Sequence, residues 1–163
     1  MLFTISSCLD NKHGKNYNAT IDDGGSTFIR KGLEAGLTEI RASKIAETTS
    51  KNPRIISFAK MMIADHGEAG DELEKIAIKK RVTGGDSVST EHQKNIDDIA
   101  TKSGAAFDRA YIQMMVNDHQ EAVKLFMGAT TDRTADIQNF AKKVLPTLKM
   151  HLDSANAICA SLK

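Results

Sequence analysis

Two stretches of the chain nearly repeat one another, "MMIADHGEA" at Met61–Ala69 and "MMVNDHQEA" at Met114–Ala122. Each carries an Asp-His pair, Asp65-His66 and Asp118-His119. Imidazole nitrogens and carboxylate oxygens together suit a divalent transition metal such as Zn, Fe, Mn or Cu. The same groups can also satisfy one another as a buried polar network. Leaving any of them buried and unpaired would cost several kcal/mol, so one of the two arrangements is required.

Helical spacing decides which of these groups face inward. Asp65 follows Phe58 by seven residues and Met62 by three, which places it on the apolar stripe with His66 at its edge. The same spacing sets Asp118 inside and His119 beside it. His151 lies seven residues from both Val144 and Ile158, again on the stripe. Glu39 shares a row with Gly32, Ala35, Gly36, Ala42, Ser43 and Ala46, whereas Glu34 falls on the outward side. Counted from the tight turns at 1.5 Å per residue, Glu39, His66 and His119 agree in depth to roughly 5 Å. His151 comes out about 9 Å deeper than His119 by the same rule, with Pro146 able to kink the helix between. The expected site is therefore His66 facing His119 across the bundle at matching depth on antiparallel helices. Glu39 and His151 lie nearby, and Asp65 and Asp118 orient or complete the site. Met61, Met62, Met114, Met115 and Met150 lie close to the histidines; flexible core filling explains them more simply than copper ligation. His13 and His92 read as solvent residues, and Cys159 as a packed thiol.

These residues need helices to hold them, and the chain supplies four long ones. Ser26 can cap a first helix with Ile29, Leu33, Leu37 and Ile40 on its stripe. Asn52-Pro53 is a stop-and-restart signal, and the second helix runs from there to about Arg81, ended by Gly84-Gly85. A third begins near Gly104, and a fourth around Asp132–Thr134. Short links join the first helix to the second and the third to the fourth. The long connection between the second and third contains a short helix capped by Ser89 or Thr90. The fold expected is all-α: an antiparallel four-helix bundle of ferritin-like outline over residues 26–163. Residues 1–25 read as a polar, disordered tether.

Composition narrows the partners. Formal net charge is +1, with 5% aromatic residues and no Trp, which gives no basic field or stacking surface for nucleic acid. "LFTISSC" at Leu2–Cys8 is similar to the end of a bacterial lipoprotein signal. On that reading Cys8 is lipidated, the anchor is the only membrane contact, and the domain sits in the periplasm or on the outer membrane. A homo-oligomer and protein partners stay open.

Four blocks carry a family resemblance: "EAGLTEI" (Glu34–Ile40), "NPRIISFAKMMIADH" (Asn52–His66), "SGAAFDRAYIQMMVNDHQEAV" (Ser103–Val123) and "FAKKVLPTLKMHL" (Phe140–Leu152). With them the chain resembles the bacterial DUF4142 family over about Thr27–Leu162. The resemblance implies a ferritin-like bundle with Glu39, Asp65-His66, Asp118-His119 and His151 as recurring polar positions, and implies no activity. Di-iron members of the wider fold use Glu-x-x-His. The residues three before the histidines here are Ile63, Val116 and Leu148, so that motif is missing. Three function classes follow: a metal-binding module, a non-catalytic structural or interaction domain, and a metal-dependent oxidoreductase.

Overall fold

In the computed structural model, which describes residues 21–162, the chain forms five helices. These are α1 (Asp23–Thr49), α2 (Pro53–Lys80), α3 (Thr90–Ala100), α4 (Gly104–Ala129) and α5 (Ala135–Ser161). No strand occurs among the described residues. The Leu2–Cys8 segment, with Cys8 itself, lies outside them, as does His13.

The helix boundaries follow local chemistry. The first helix starts at Asp23, ahead of the Ser26 cap expected, because the Asp22 side chain accepts from the Gly25 amide at 2.7 Å. Asn52 caps α2 as predicted, accepting from Arg54 N at 3.0 Å with Pro53 at the first helical position. At its other end α2 stops at Lys80, and Arg81 takes the left-handed conformation at φ 56°. Its amide and that of Val82 then close the last turn onto Ile78 O and Ala77 O. Ser89 caps α3, as one of the two caps predicted. Pro146 lies within α5, which runs unbroken through it.

The four long helices pack around one another so that α1 neighbours α2 and α4, and α5 neighbours α4 and α2. One end of the core joins the C-terminal half of α1, the N-terminal halves of α2 and α4, and the C-terminal part of α5, through Ala42, Phe58, Phe107, Tyr111 and Ile158. The other end joins the reverse halves through Phe28, Leu73, Phe126 and Phe140. Spatial neighbours are therefore antiparallel, while α2 and α4 sit on a diagonal and run the same way. That corrects the expectation of antiparallel helices for the two repeat copies. The chain segment containing α3 returns to the starting end before α4 begins, so the copies are related by a rotation about the bundle axis.

Neither apolar cluster contains Glu39, His66, His119 or His151, although all four are buried. The hydrophobic core is cut in two, and a polar layer fills the cut. Met62, Met114 and Met115 belong to the cluster on one side of the layer, so these methionines are core filling.

Candidate metal centre

Each long helix contributes one buried polar side chain to this layer: Glu39 from α1, His66 from α2, His119 from α4 and His151 from α5. On α2 and α4 the order of depth is the reverse of that expected. His66 and His119 are buried, whereas Asp65 and Asp118 are half-buried at the layer's edge. A stripe drawn through Phe58 and Met62 points at Asp65. The buried row of each helix instead steps four residues from methionine to histidine, Met62 to His66 on α2 and Met115 to His119 on α4, which leaves the aspartate at its edge.

His151 also joins the cluster, although its count along the chain set it about 9 Å away. Side chains lean toward the N-terminus of their own helix. On the antiparallel pair α4 and α5 that lean carries His119 and His151 toward one another, and their rings meet with centroids 5.3 Å apart. The His66 ring lies 5.4 Å from each of them.

Glu39 sets one carboxylate oxygen against each of two imidazoles. Its Oε2 is 3.0 Å from His66 Nδ1 and its Oε1 is 3.1 Å from His119 Nδ1. His119 Nδ1 donates to the Met115 carbonyl at 2.9 Å, which leaves Glu39 Oε1 buried without a hydrogen bond. On the far side, His151 Nε2 donates to Asp65 Oδ2 at 2.8 Å. One nitrogen of each ring is thus turned toward a carboxylate or a carbonyl. The remaining three are His66 Nε2, His119 Nε2 and His151 Nδ1. His66 Nε2 is buried with no partner. His119 Nε2 and His151 Nδ1 face each other at 3.3 Å.

Burial dominates the titration of every member. It pushes His119 down to about 4, with His151 adding to the effect. It lowers His66 well below the ordinary histidine value, helped by His119 and His151, and it lowers His151 against the pull of Asp65. Desolvation raises Glu39 well above the usual carboxyl range, with the charge of Asp118 second. At neutral pH the three imidazoles are therefore uncharged. Given the donors assigned above, His119 Nε2 and His151 Nδ1 then present two lone pairs to one another at 3.3 Å. That contact is unfavourable until a cation, or a proton, lies between them. One nitrogen from each of the three rings lies within 4.8 Å of one from the others, the spacing of a site able to hold a metal ion.

Asp118 takes no hydrogen bond from this cluster. Its Oδ2 is buried without a partner, and its side chain lines a crevice beside α3 together with Thr38 and His92. Burial raises its pKa to about 6, opposed by His92. Two residues read as outward are tied down there. Glu34 Oε1 accepts from Ser89 N at 2.9 Å and contacts His92 Nδ1 at 3.0 Å, fastening the start of α3 to α1. The Ser89 cap was the only sequence signal for that contact. A second pair had no signal at all: Ser43 Oγ and Tyr111 OH, 2.8 Å apart in the core. Cys159 is half-buried on α5, its thiol directed at Gln113 Oε1.

An antiparallel bundle whose four long helices each send one ionisable group into a shared buried layer defines a helical protein with a polar centre. The chain belongs to the DUF4142 family, described as a domain of unknown function, whose profile matches residues 11–158. Its fold is similar to that of a DUF305 fragment from Deinococcus radiodurans seen in a crystal structure. That similarity has a TM-score of 0.77 at 14% identity and covers 86% of this chain and 97% of the fragment. It is a likeness of fold alone. No curated protein matches the sequence. Among the described residues, no helix is long and apolar enough to cross a membrane.

Proposed function

We propose that the protein is a transition-metal-binding module whose ligands are His66, His119 and His151. The Glu39 carboxyl group orients His66, Asp65 orients His151, and the Met115 carbonyl orients His119. The observation that carries this reading is the 3.3 Å approach of His119 Nε2 to His151 Nδ1, two acceptor atoms on buried side chains. Metal–nitrogen bonds of about 2.0–2.1 Å meeting at a tetrahedral angle span an edge of about 3.3 Å. A nitrogen pair at that separation already fits one ion. The three ligand atoms, within 4.8 Å of one another, would close by at most about 1.5 Å on binding. Carboxylates on the outer nitrogens are the usual support for ligating histidines. Three neutral nitrogen donors suit Zn(II) or Cu(II), and less well the harder, oxygen-seeking Mn(II). One coordination position is left over for water or a further ligand.

A second reading, a purely structural polar network, draws on the continuous chain of contacts from Asp65 through His151 and His119 to Met115 O. Isothermal titration with Zn(II), Cu(II), Mn(II) and Fe(II) separates the two. Wild type is expected to bind at one site per chain, and a His66→Ala/His119→Ala double variant to lose that site with its helical signal intact. Equal weak binding by both proteins would establish the network instead. Wild type alone should also melt higher with metal, since an ion bound only by the folded state stabilises it.

The location proposed is the bacterial cell envelope, with Cys8 as lipid anchor; support comes from the apolar-and-small run before that cysteine. Radiolabelled fatty acid should enter the wild-type product of the whole gene and not a Cys8→Ser variant. Unlabelled wild type in the cytoplasm would refute it.

A further inference from the structure

The polar layer is closed on most sides. His119 and Glu39 are sealed by neighbouring helices, and apolar clusters cover the layer above and below. Toward α1 there is only a void of about 30 Å³ beside Glu39 and His66, room for a water molecule and not for a hydrated ion. Between α2 and α5, however, a solvent-connected cleft of about 240 Å³ reaches the layer, and both His66 and His151 form part of its wall. His66 is only 7% exposed and its buried Nε2 has no partner, so one residue of the cleft wall carries an unsatisfied ligand atom.

The walls of this cleft are charged in a directed way. Asp65, Glu68 and Glu72 follow at intervals of three and four residues on α2, so they form one row along it. Lys143 pairs with Glu72 at 2.6 Å, which leaves a net negative lining that ends beside the histidines. Met150 stands at the rim, 46% exposed.

We propose that the α2–α5 cleft is the passage by which a divalent transition-metal ion enters and leaves the histidine site, so that the ion is exchangeable cargo and not a sealed structural component. This rests on reading the histidine cluster as a metal site. The carboxylate row attracts the hydrated cation and replaces part of its water shell. Asp65, already bonded to His151, marks the handover to the imidazoles. The passage speeds loading and release alike, since it lies between bulk water and the site and alters neither end state.

Stopped-flow mixing with Zn(II), followed by release into excess EDTA, tests this on the whole protein. Thr147 is half-buried in the cleft wall and takes no part in the cluster. The chain has no Trp, so Thr147→Trp both fills the passage and supplies a single indole reporter. Association and dissociation should each slow about tenfold or more in this variant, with Kd unchanged within about threefold, as for a blocked route between unchanged end states. Glu68→Lys, on an exposed position that tolerates change, should slow association about threefold to tenfold at low salt, and the deficit should vanish near 0.5 M salt. Wild-type rates in both variants, with tight Zn(II) binding retained, would overturn the passage and leave the metal site standing. No Zn(II) binding by wild type would instead remove the site, and the passage with it.

Discussion

His151 Nε2 and Asp65 Oδ2 lie 2.8 Å apart across the contact between α5 and α2. This bond fixes the proton of the imidazole on Nε2 and turns Nδ1 toward His119. A ligating histidine held this way owes part of its affinity to the carboxylate behind it. Asp65→Ala should weaken Zn(II) binding by roughly 10- to 100-fold, and Asp65→Asn, which still accepts a hydrogen bond, by less. Chelator competition measures both. Unchanged affinity in the alanine variant would show that His151 is not a ligand.

Metal occupancy should resist acid further than free histidine would allow. An unperturbed imidazole protonates near 6.5, and occupancy would start to fall there. Burial holds His119 near 4 and lowers His66 and His151 as well, so the ligand form persists below the ordinary value. Zn(II) occupancy at pH 5.5 should stay close to that at pH 7 and drop as pH approaches 4. The metal-free fold has the matching sign. These rings bind fewer protons folded than unfolded, so their contribution is complete above 6.5 and is lost as pH falls from there toward 4. Melting temperatures of metal-free and Zn-loaded protein at pH 7, 5.5 and 4.5 report both effects.

Asp118 should destabilise the fold when ionised. Burial chiefly raises its pKa from the ordinary 3.8 to about 6, so the folded state holds its proton longer than the unfolded state. Stability from this group is greatest below 3.8 and declines as pH climbs to about 6. Asp118→Asn should therefore stabilise the protein by roughly 1–3 kcal/mol at pH 7 and by little at pH 4. Urea unfolding at the two pH values checks the difference. A gain that is equal at both would mean that the carboxylate finds a partner in solution.

Gly85 should not accept a side chain. Its φ is +89°, and a Cβ there would lie 2.7 Å from the carbonyl oxygen of Arg30 on α1. Gly85→Ala is expected to cost about 1–3 kcal/mol. It should loosen the segment leading into α3 before the bundle itself. Hydrogen exchange at α3 amides should rise more than at α2 amides; uniform protection in the variant would contradict this.

The sequence by itself determined the four long helices, the Asn52 cap of the second, the short helix in the long connection, and the two short links. Those depend on contacts within a few residues, and the local code for them is strong. It also placed Glu39, His151 and both Asp-His pairs on inward-facing rows, because a polar group among small or apolar residues stands out at helical spacing. Tertiary structure alone decided which member of each Asp-His pair went inside. A rotation of one residue, 100° about the helix axis, exchanges them, and only the packing of α1 and α5 against α2 fixes that angle. Depth was decided there too. Counting residues places backbone atoms, whereas the opposed lean of side chains on antiparallel helices brings His151 onto His119. The contacts of Ser43 with Tyr111 and of Glu34 with His92 had no trace in spacing, because each joins helices whose relative position no local pattern encodes.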